Sequence, residues 1–304
     1  MNRIFLATCL ILAALVAAAR AGLGCIAIPI QPDVTMSLPE QRAILYREGN
    51  KEHLILSIRY QGETREFAWV IPTEGKPTVK TQPGAPFHEL WRLTEIARPR
   101  VSGAGEGARA PGAVAAPPPV TVLERKIEGP YDLAVLHATS GVGLYRWLRD
   151  NGFQLSPASR SALDQYVARR WYFVAARIRP GGQGSEQIAR RLKEGTIAAL
   201  HMTYPATKLS YPLRVTAGNP GMSKMELFVL AANQAPQPGL EANTFQLTPS
   251  GSDGFRIQGP PGTVRSEGSF PTLRRLWPQG GTLVKYTGTL SDRQRMRDLD
   301  FVTF

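Results

Sequence analysis

Residues His53 to Thr73 read HLILSIRYQGETREFAWVIPT, two apolar-rich runs around a polar middle. Leu54, Leu56, Ile58 and Tyr60 alternate along the first run, and Phe67, Trp69 and Ile71 alternate along the second after a turn around Gly62. Side chains of a strand point to opposite sides in turn, so this spacing predicts two strands, each with a strongly apolar face. As neighbours in sequence they are expected to pair as a β-hairpin. Pro72, which has no amide hydrogen for a ladder, marks its exit. Burying each of these large side chains is worth roughly 1.5–3 kcal/mol, which makes the stretch the expected core nucleus. Arg42 to Glu48 reads as a further strand joined through Gly49-Asn50. Residues 22–97 are therefore expected to hold a three-stranded antiparallel meander.

Downstream the pattern changes several times. Leu90, Trp91 and Leu93 fall at helical spacing within Phe87 to Ile96. Residues 98–119 are dominated by Gly, Ala and Pro and read as a disordered linker or long loop, either an insertion into one domain or a boundary between two. Val120 to Ile127 and Tyr131 to Ala138 read as strands around Gly129-Pro130. Two helices follow. The first has Leu144, Trp147 and Leu148 on one face and stops at Asn151-Gly152; the second is capped by Ser156 with Pro157 at its first position, and turns Leu163, Tyr166 and Val167 inward. Trp171 to Ile178 is a dense apolar strand, with a Gly-rich loop at Pro180 to Gly184. Further strands are expected at Thr196–Tyr204, Leu209–Ala217, Met225–Ala232 and Thr282–Leu290, with long surface loops between Gln234 and Phe270 and a short helix at Ser269–Trp277. The fold class is α+β, with antiparallel sheet, a few short helices and one long disordered loop. Residues 120–290 form an α+β region continuous with 22–97, and 291–304 form a C-terminal tail.

The first 21 residues carry Arg3, an apolar run from Ile4 to Ala19, and the small-x-small sequence Ala19-Arg20-Ala21. That is the pattern of a cleaved secretory signal peptide, with a retained membrane anchor as the competing reading. Cleavage would remove Cys9 and leave Cys25 alone, so no internal disulfide is expected. Cys25 follows Gly22-Leu23-Gly24, a partial match to a lipoprotein cleavage box; it is a candidate lipidation site or a free or intermolecularly paired thiol. The chain of 304 residues has a formal charge of +12. Its basic residues are scattered, so no specific nucleic-acid binding is expected, while an anionic envelope surface is a possible partner.

Four segments together carry a resemblance: Phe67 to Pro72, Tyr131 to Leu136, Leu144 to Phe153, and Tyr166-Val167 followed by Trp171 to Ala175. Their order resembles a bacterial secreted family catalogued as domain of unknown function 2330. The resemblance covers most of the mature chain and implies an extracytoplasmic protein. It carries over no functional residues.

No catalytic constellation is legible. His53, His88, His137 and His201 lie in four different elements without metal-ligand spacing, so no metal site is expected. Gly251-Ser252-Asp253-Gly254 misses the nucleophile-elbow spacing, and Cys25 sits too near a cleaved terminus for rigid catalytic support. Glu63 with Glu66, and Asp298 with Asp300, read as solvated charges. The five tryptophans, Trp69, Trp91, Trp147, Trp171 and Trp277, sit at inward positions and read as core rather than as a ligand groove. No catalytic residue and no cofactor is expected. The reading is a non-enzymatic extracytoplasmic binding or structural module of the bacterial envelope. The alternatives are a hydrolase-like envelope enzyme with a dispersed site, and a peripheral protein held by anionic surfaces.

Export fixes one testable outcome. Mass spectrometry of the protein from its native bacterium should find a chain starting near Gly22. A diacylglycerol-modified Cys25 start would establish the lipoprotein form, and an intact Met1 would make the apolar run an anchor.

Overall fold

The runs around Leu56 and Trp69 are both strands, but they are not partners. In the computed structural model, which describes residues 26–29, 36–62, 67–82, 84–96, 120–153, 155, 157–178, 197–218, 223–230, 235–291 and 297–302, β3 (Lys51–Gly62) lies between β2 (Met36–Glu48) and β9 (Ala199–Pro205). Strand β4 (Phe67–Thr73) instead lies between β1 (Ile26–Pro29) and β8 (Tyr172–Ile178) in a second sheet. The expected hairpin and three-stranded meander are thereby corrected; only the β2–β3 arm is a hairpin. Its turn needs the left-handed φ of +58° at Gly49, a value glycine adopts without a Cβ penalty.

The reason is the number of apolar faces. Trp69 and Ile71 share one buried cluster with Leu54 and Leu56, while Ala68 and Val70, on the other side of the same strand, belong to a different cluster. A strand buried on both faces needs a layer on each side. Pairing β4 beside β3 would align their apolar faces on one sheet; stacking them face to face buries both against each other.

The smaller sheet has the order β1-β4-β8-β7-β6, with β6 at Val120–Glu128 and β7 at Tyr131–Ala138. The larger has nine strands: β14 (Glu267–Ser269), β13 (Gly254–Gln258), β12 (Glu241–Ser250), β15 (Gly281–Leu290), β11 (Ser223–Leu230), β2, β3, β9 and β5 (Thr78–Gln82). Strands β11 and β2 pair in parallel, and the other ladders of the two sheets are antiparallel. A third, two-stranded ladder joins β10 (Leu209–Tyr211) to β16 (Leu299–Phe301).

Helices close the outer faces. On the smaller sheet, α2 (Gly141–Asp150) and α3 (Pro157–Ala168) bury Leu144, Leu148, Leu163 and Tyr166 against Ala134, Leu136 and Phe173. On the larger, α1 (Ala85–Leu93) and α4 (Pro271–Leu276) bury Phe87, Leu90 and Leu273 against Ile44, Ile55 and Phe228. The order is helices, sheet, sheet, helices. The α2 amides are capped by Ser140, whose Oγ accepts from the Gly143 N–H at 3.3 Å.

Several expectations change here. The stretch between Gln234 and Phe270 holds β12 and β13, whose Phe245, Leu247, Phe255 and Ile257 alternate into the core behind Pro and Gly punctuation. The Leu209–Ala217 strand stops at Tyr211, and a 3-10 turn (Leu213–Gly218) follows Pro212, which cannot donate to a ladder. The end of the chain is not a free tail, because Leu299 and Phe301 are buried through β16. Trp91 is 47% exposed, so the inward assignment fails there; Trp147 is partly buried and packs against the core under α2 and α3, and Trp69, Trp171 and Trp277 are buried. Cys25, Ser156, the 98–119 segment and the Gly-rich loop after Pro180 lie outside the described residues.

Trp69 is fully buried, with its ring 5.6 Å from that of Tyr131, whose hydroxyl donates to the Ala198 carbonyl in front of β9 at 2.5 Å. Truncation of Trp69 to Ala should cost about 3–5 kcal/mol. Denaturant unfolding checks this; an unchanged midpoint would remove the inter-sheet packing role.

Candidate functional site

Inward-facing Tyr131, Leu133 and Val135 on β7 leave Asp132 and Ala134 facing the helix layer, and Val174 and Ala176 on β8 leave Ala175 and Arg177 there. Across β6, Arg125 stands opposite Ala134. Where Leu136 and Phe173 fill the space beneath the helices, Ala134 and Ala175 do not. The result is a cleft of about 370 Å³ lined by Arg125, Asp132, Ala134, Trp147, Asp150, Asn151, Gly152, Phe153, Ala175 and Arg177.

The wall is the end of α2, and its geometry is dictated locally. Gly152 has φ +87°, its amide donates to the Arg149 carbonyl at 2.9 Å, and the Phe153 amide donates to the Leu148 carbonyl at 2.8 Å. This pair of bonds is a Schellman turn, which needs a left-handed residue at that position. It reverses the chain so that Phe153 packs 6.4 Å from the Trp147 ring. Asn151 Nδ2 donates to the Trp147 carbonyl at 2.9 Å. Asn151-Gly152 thus stops the helix as the spacing predicts, and also shapes the cleft.

Charges in the cleft are organised in pairs. Arg125 donates to both carboxylate oxygens of Asp132, Nε at 3.3 Å and Nη2 at 3.0 Å, a two-pronged arrangement. Asp150 accepts from Arg149 through Nε at 3.0 Å and Nη2 at 2.8 Å. Sequence reasoning missed Arg125, Asp132 and Arg177. The legible signal was one charged residue per strand at the outward position of otherwise apolar β7 and β8.

The structure brings two of the four histidines together. His53 Nδ1 lies 3.0 Å from His201 Nε2 and 3.2 Å from Thr203 Oγ1, while His53 Nε2 lies 3.3 Å from Glu48 Oε2. Tyr46 stacks on His53 at 4.3 Å. The four histidines do lie in four different elements, but two of them are not isolated: β3 and β9 are neighbours, and the register places His53 diagonal to His201. With neutral rings, His53 Nδ1 accepts from His201 Nε2 and from the Thr203 hydroxyl, while His53 Nε2 lies beside Glu48 without an aligned hydrogen bond. Burial, with each ring's cationic neighbours, depresses both: His201 to about 4, and His53 below its ordinary value. Hydroxyl, imidazole and carboxylate are the parts of a proton relay, but the flanking β9 amides are engaged in ladders to β3 and β5. At its outer end the cluster reaches Glu48, whose side chain is exposed. His137 packs its ring 4.8 Å from Tyr172, and His88 is exposed.

Two further buried acids are structural. Glu52 accepts from Tyr204 Oη at 2.8 Å and from the Ser210 amide at 3.1 Å, and burial pushes its carboxyl up to about 8 against those bonds. Asp298 accepts from Tyr166 Oη at 2.6 Å, Arg169 at 3.1 Å and the Arg214 amide at 3.0 Å, so it is not the solvated charge expected. Asp300 is half-exposed and pairs with Lys208 at 2.5 Å, and Glu63 and Glu66 lie outside the described residues. Among the described residues, no group of three or more His, Cys, Asp or Glu is arranged for a metal ion, and no helix is long and apolar enough to cross a membrane.

A family model described as "Uncharacterized protein conserved in bacteria (DUF2330)" matches residues 17–244. The chain belongs to this family. All ten cleft residues lie inside the matched span, and eight, all but Arg125 and Arg177, lie in the segments that carry the resemblance. No curated protein matches. Among solved structures, the crystal structure of baculovirus P35 is similar at a TM-score of 0.43 and 9% identity, covering 92% of this chain and 100% of that chain.

The buried titrating groups set opposite pH dependences. A depressed histidine contributes stability that is present above about 6.5 and lost as pH falls through its folded value, about 4 for His201. A raised carboxyl contributes stability that is present below about 4.5 and lost as pH rises through about 8. Thermal melts should therefore show that His201→Gln flattens the acid limb and Glu52→Gln the alkaline limb. Parallel profiles for parent and variants would remove both assignments.

Proposed function

We propose that this DUF2330 member is an exported, non-enzymatic binding module of the bacterial envelope, and that its site is the cleft between the end of α2 and the outer face of the smaller sheet. Export is supported by the pattern of residues 1–21. The observation that carries the binding role is the cleft itself: about 370 Å³ of space above Ala134 and Ala175, with an aromatic wall and two arginines and two aspartates at the rim and floor. Ligand sites are concave, aromatic-lined and equipped with a few convergent polar groups, in volumes of roughly 300–1,000 Å³.

Adhesion to anionic surfaces has less support. On the larger sheet, Arg42, Lys224 and Lys285 lie within 3.2 Å of Glu40 or Glu226, which neutralise them. Such paired charges offer little to a polyanion.

Full chain incubated with the low-molecular-weight fraction of an enzymatically digested bacterial envelope should bind a component visible by saturation-transfer NMR. Trp147→Ala should weaken that signal at least tenfold, about 1.4 kcal/mol, while Trp91→Ala on the opposite side of the molecule should not. Equal binding by parent and Trp147→Ala would take the site away from the cleft.

A further inference from the structure

Resting on the cleft as the binding site, we infer that its ligand is an uncharged polyhydroxylated ring compound, a neutral sugar unit or short oligosaccharide. The first ground is charge. The chain as a whole carries +12, yet the cleft's lining has two arginines, Arg125 and Arg177, and two aspartates, Asp132 and Asp150, which sum to zero. Arg125 spends both prongs of its guanidinium on Asp132, Asp150 is held by Arg149, and Arg177 is also engaged. Arg125 and Arg149 are each committed to an aspartate, and an anionic ligand drawing on either would have to break that pair. A neutral ligand keeps the pairs intact.

The second ground is the form of the polar groups. A carboxylate accepts hydrogen bonds on two oxygens, a guanidinium donates five, and a carboxamide does both. Asp132, Asp150, Asn151, Arg125 and Arg177 present these planar groups around one space. Adjacent ring hydroxyls, each both donor and acceptor, match such groups in pairs. Mutual ion pairing holds Arg125 and Asp132 in fixed orientation before a ligand arrives, which lowers the ordering cost of binding. Trp147, partly exposed at the wall and backed by Phe153, supplies a flat apolar face for the C–H side of a sugar ring.

The third ground is the floor itself. It is the face of β7 and β8, whose amides and carbonyls are committed to ladders on both sides, so a ligand resting on it meets side chains and not free backbone. The sheet edge beside the cleft belongs to β6, which contributes Arg125, and strand addition there is what the peptide probe tests.

Calorimetric titration of the full chain discriminates these ligands. The probes are chitotriose, cellotriose and maltotriose as neutral sugars, trialanine as a peptide and inorganic phosphate as an anion, each at low and high NaCl. At least one neutral sugar should bind, with affinity unchanged by salt because no net charge is neutralised. Asp132→Asn, which keeps the side-chain shape, and Trp147→Ala should each weaken it at least tenfold, with melting temperatures recorded to show that both variants fold. Binding of trialanine or phosphate alone, abolished by these substitutions, would overturn the sugar assignment and leave the cleft as the site. Sugar binding that neither folded variant alters would overturn the cleft itself. Absence of binding by every sugar would overturn the sugar assignment.

Discussion

The stacking of Trp69 and Ile71 across from Leu54 and Leu56 is the constraint from which the rest of the structure follows. It commits the consecutive strands β3 and β4 to different sheets, so the two do not pair as a hairpin. Once β4 is buried on its second face by Ala68 and Val70, the smaller sheet needs a covering layer, and α2 and α3 supply it. The larger sheet is covered by α1 and α4 through Phe87, Leu90 and Leu273. Where that cover ends, Glu226 is bridged by Arg42 and Lys285, each at 3.0 Å, which closes the exposed strand faces with charge. Individually such pairs contribute little; their arrangement excludes a further apolar partner.

Buried polar networks hold what packing alone leaves loose. Glu52 ties Tyr204 to the Ser210 amide and so fixes the path between β9 and β10. Asp298 gathers Tyr166 from α3, Arg169 and the Arg214 amide, bringing the last strand onto the body of the fold. Replacing Glu52 by an apolar residue would leave the Tyr204 hydroxyl and the Ser210 amide without an acceptor in a place water does not reach, a larger loss than the bonds' own net worth. Neither network shares a residue with the lining of the cleft.

The cleft shows how a packing exception becomes a site. Alternation along β7 and β8 makes every second residue face the helices, and at two of these positions the residue is alanine. The helix above stops early, at a Schellman turn that needs Gly152, and its last turn presents Trp147, Asp150 and Asn151. The cleft's aspartates are held by arginines, and the imidazole pair of His53 and His201 lies elsewhere, between β3 and β9.

The sequence by itself determined the elements. Period-two alternation in Leu54–Leu56 and Tyr131–Leu136, helical spacing from Leu144 to Leu148, the Asn151-Gly152 stop and Pro157 at a helix start all depend on near neighbours along the chain, and all are found in place. The α+β class followed from the same local patterns, and the family from the order of the segments that resemble it. Only the tertiary structure decided which strand pairs with which, because a strand's partner is chosen by how many of its faces are apolar and what lies opposite, and β3 finds its second neighbour in β9, some 150 residues on. For the same reason His53 met His201, Asp298 proved buried, and Arg125, Asp132 and Arg177 converged from three strands. Residues that share a site in this fold share a sheet face, and a sheet face is assembled from segments whose separation in sequence carries no sign of their contact.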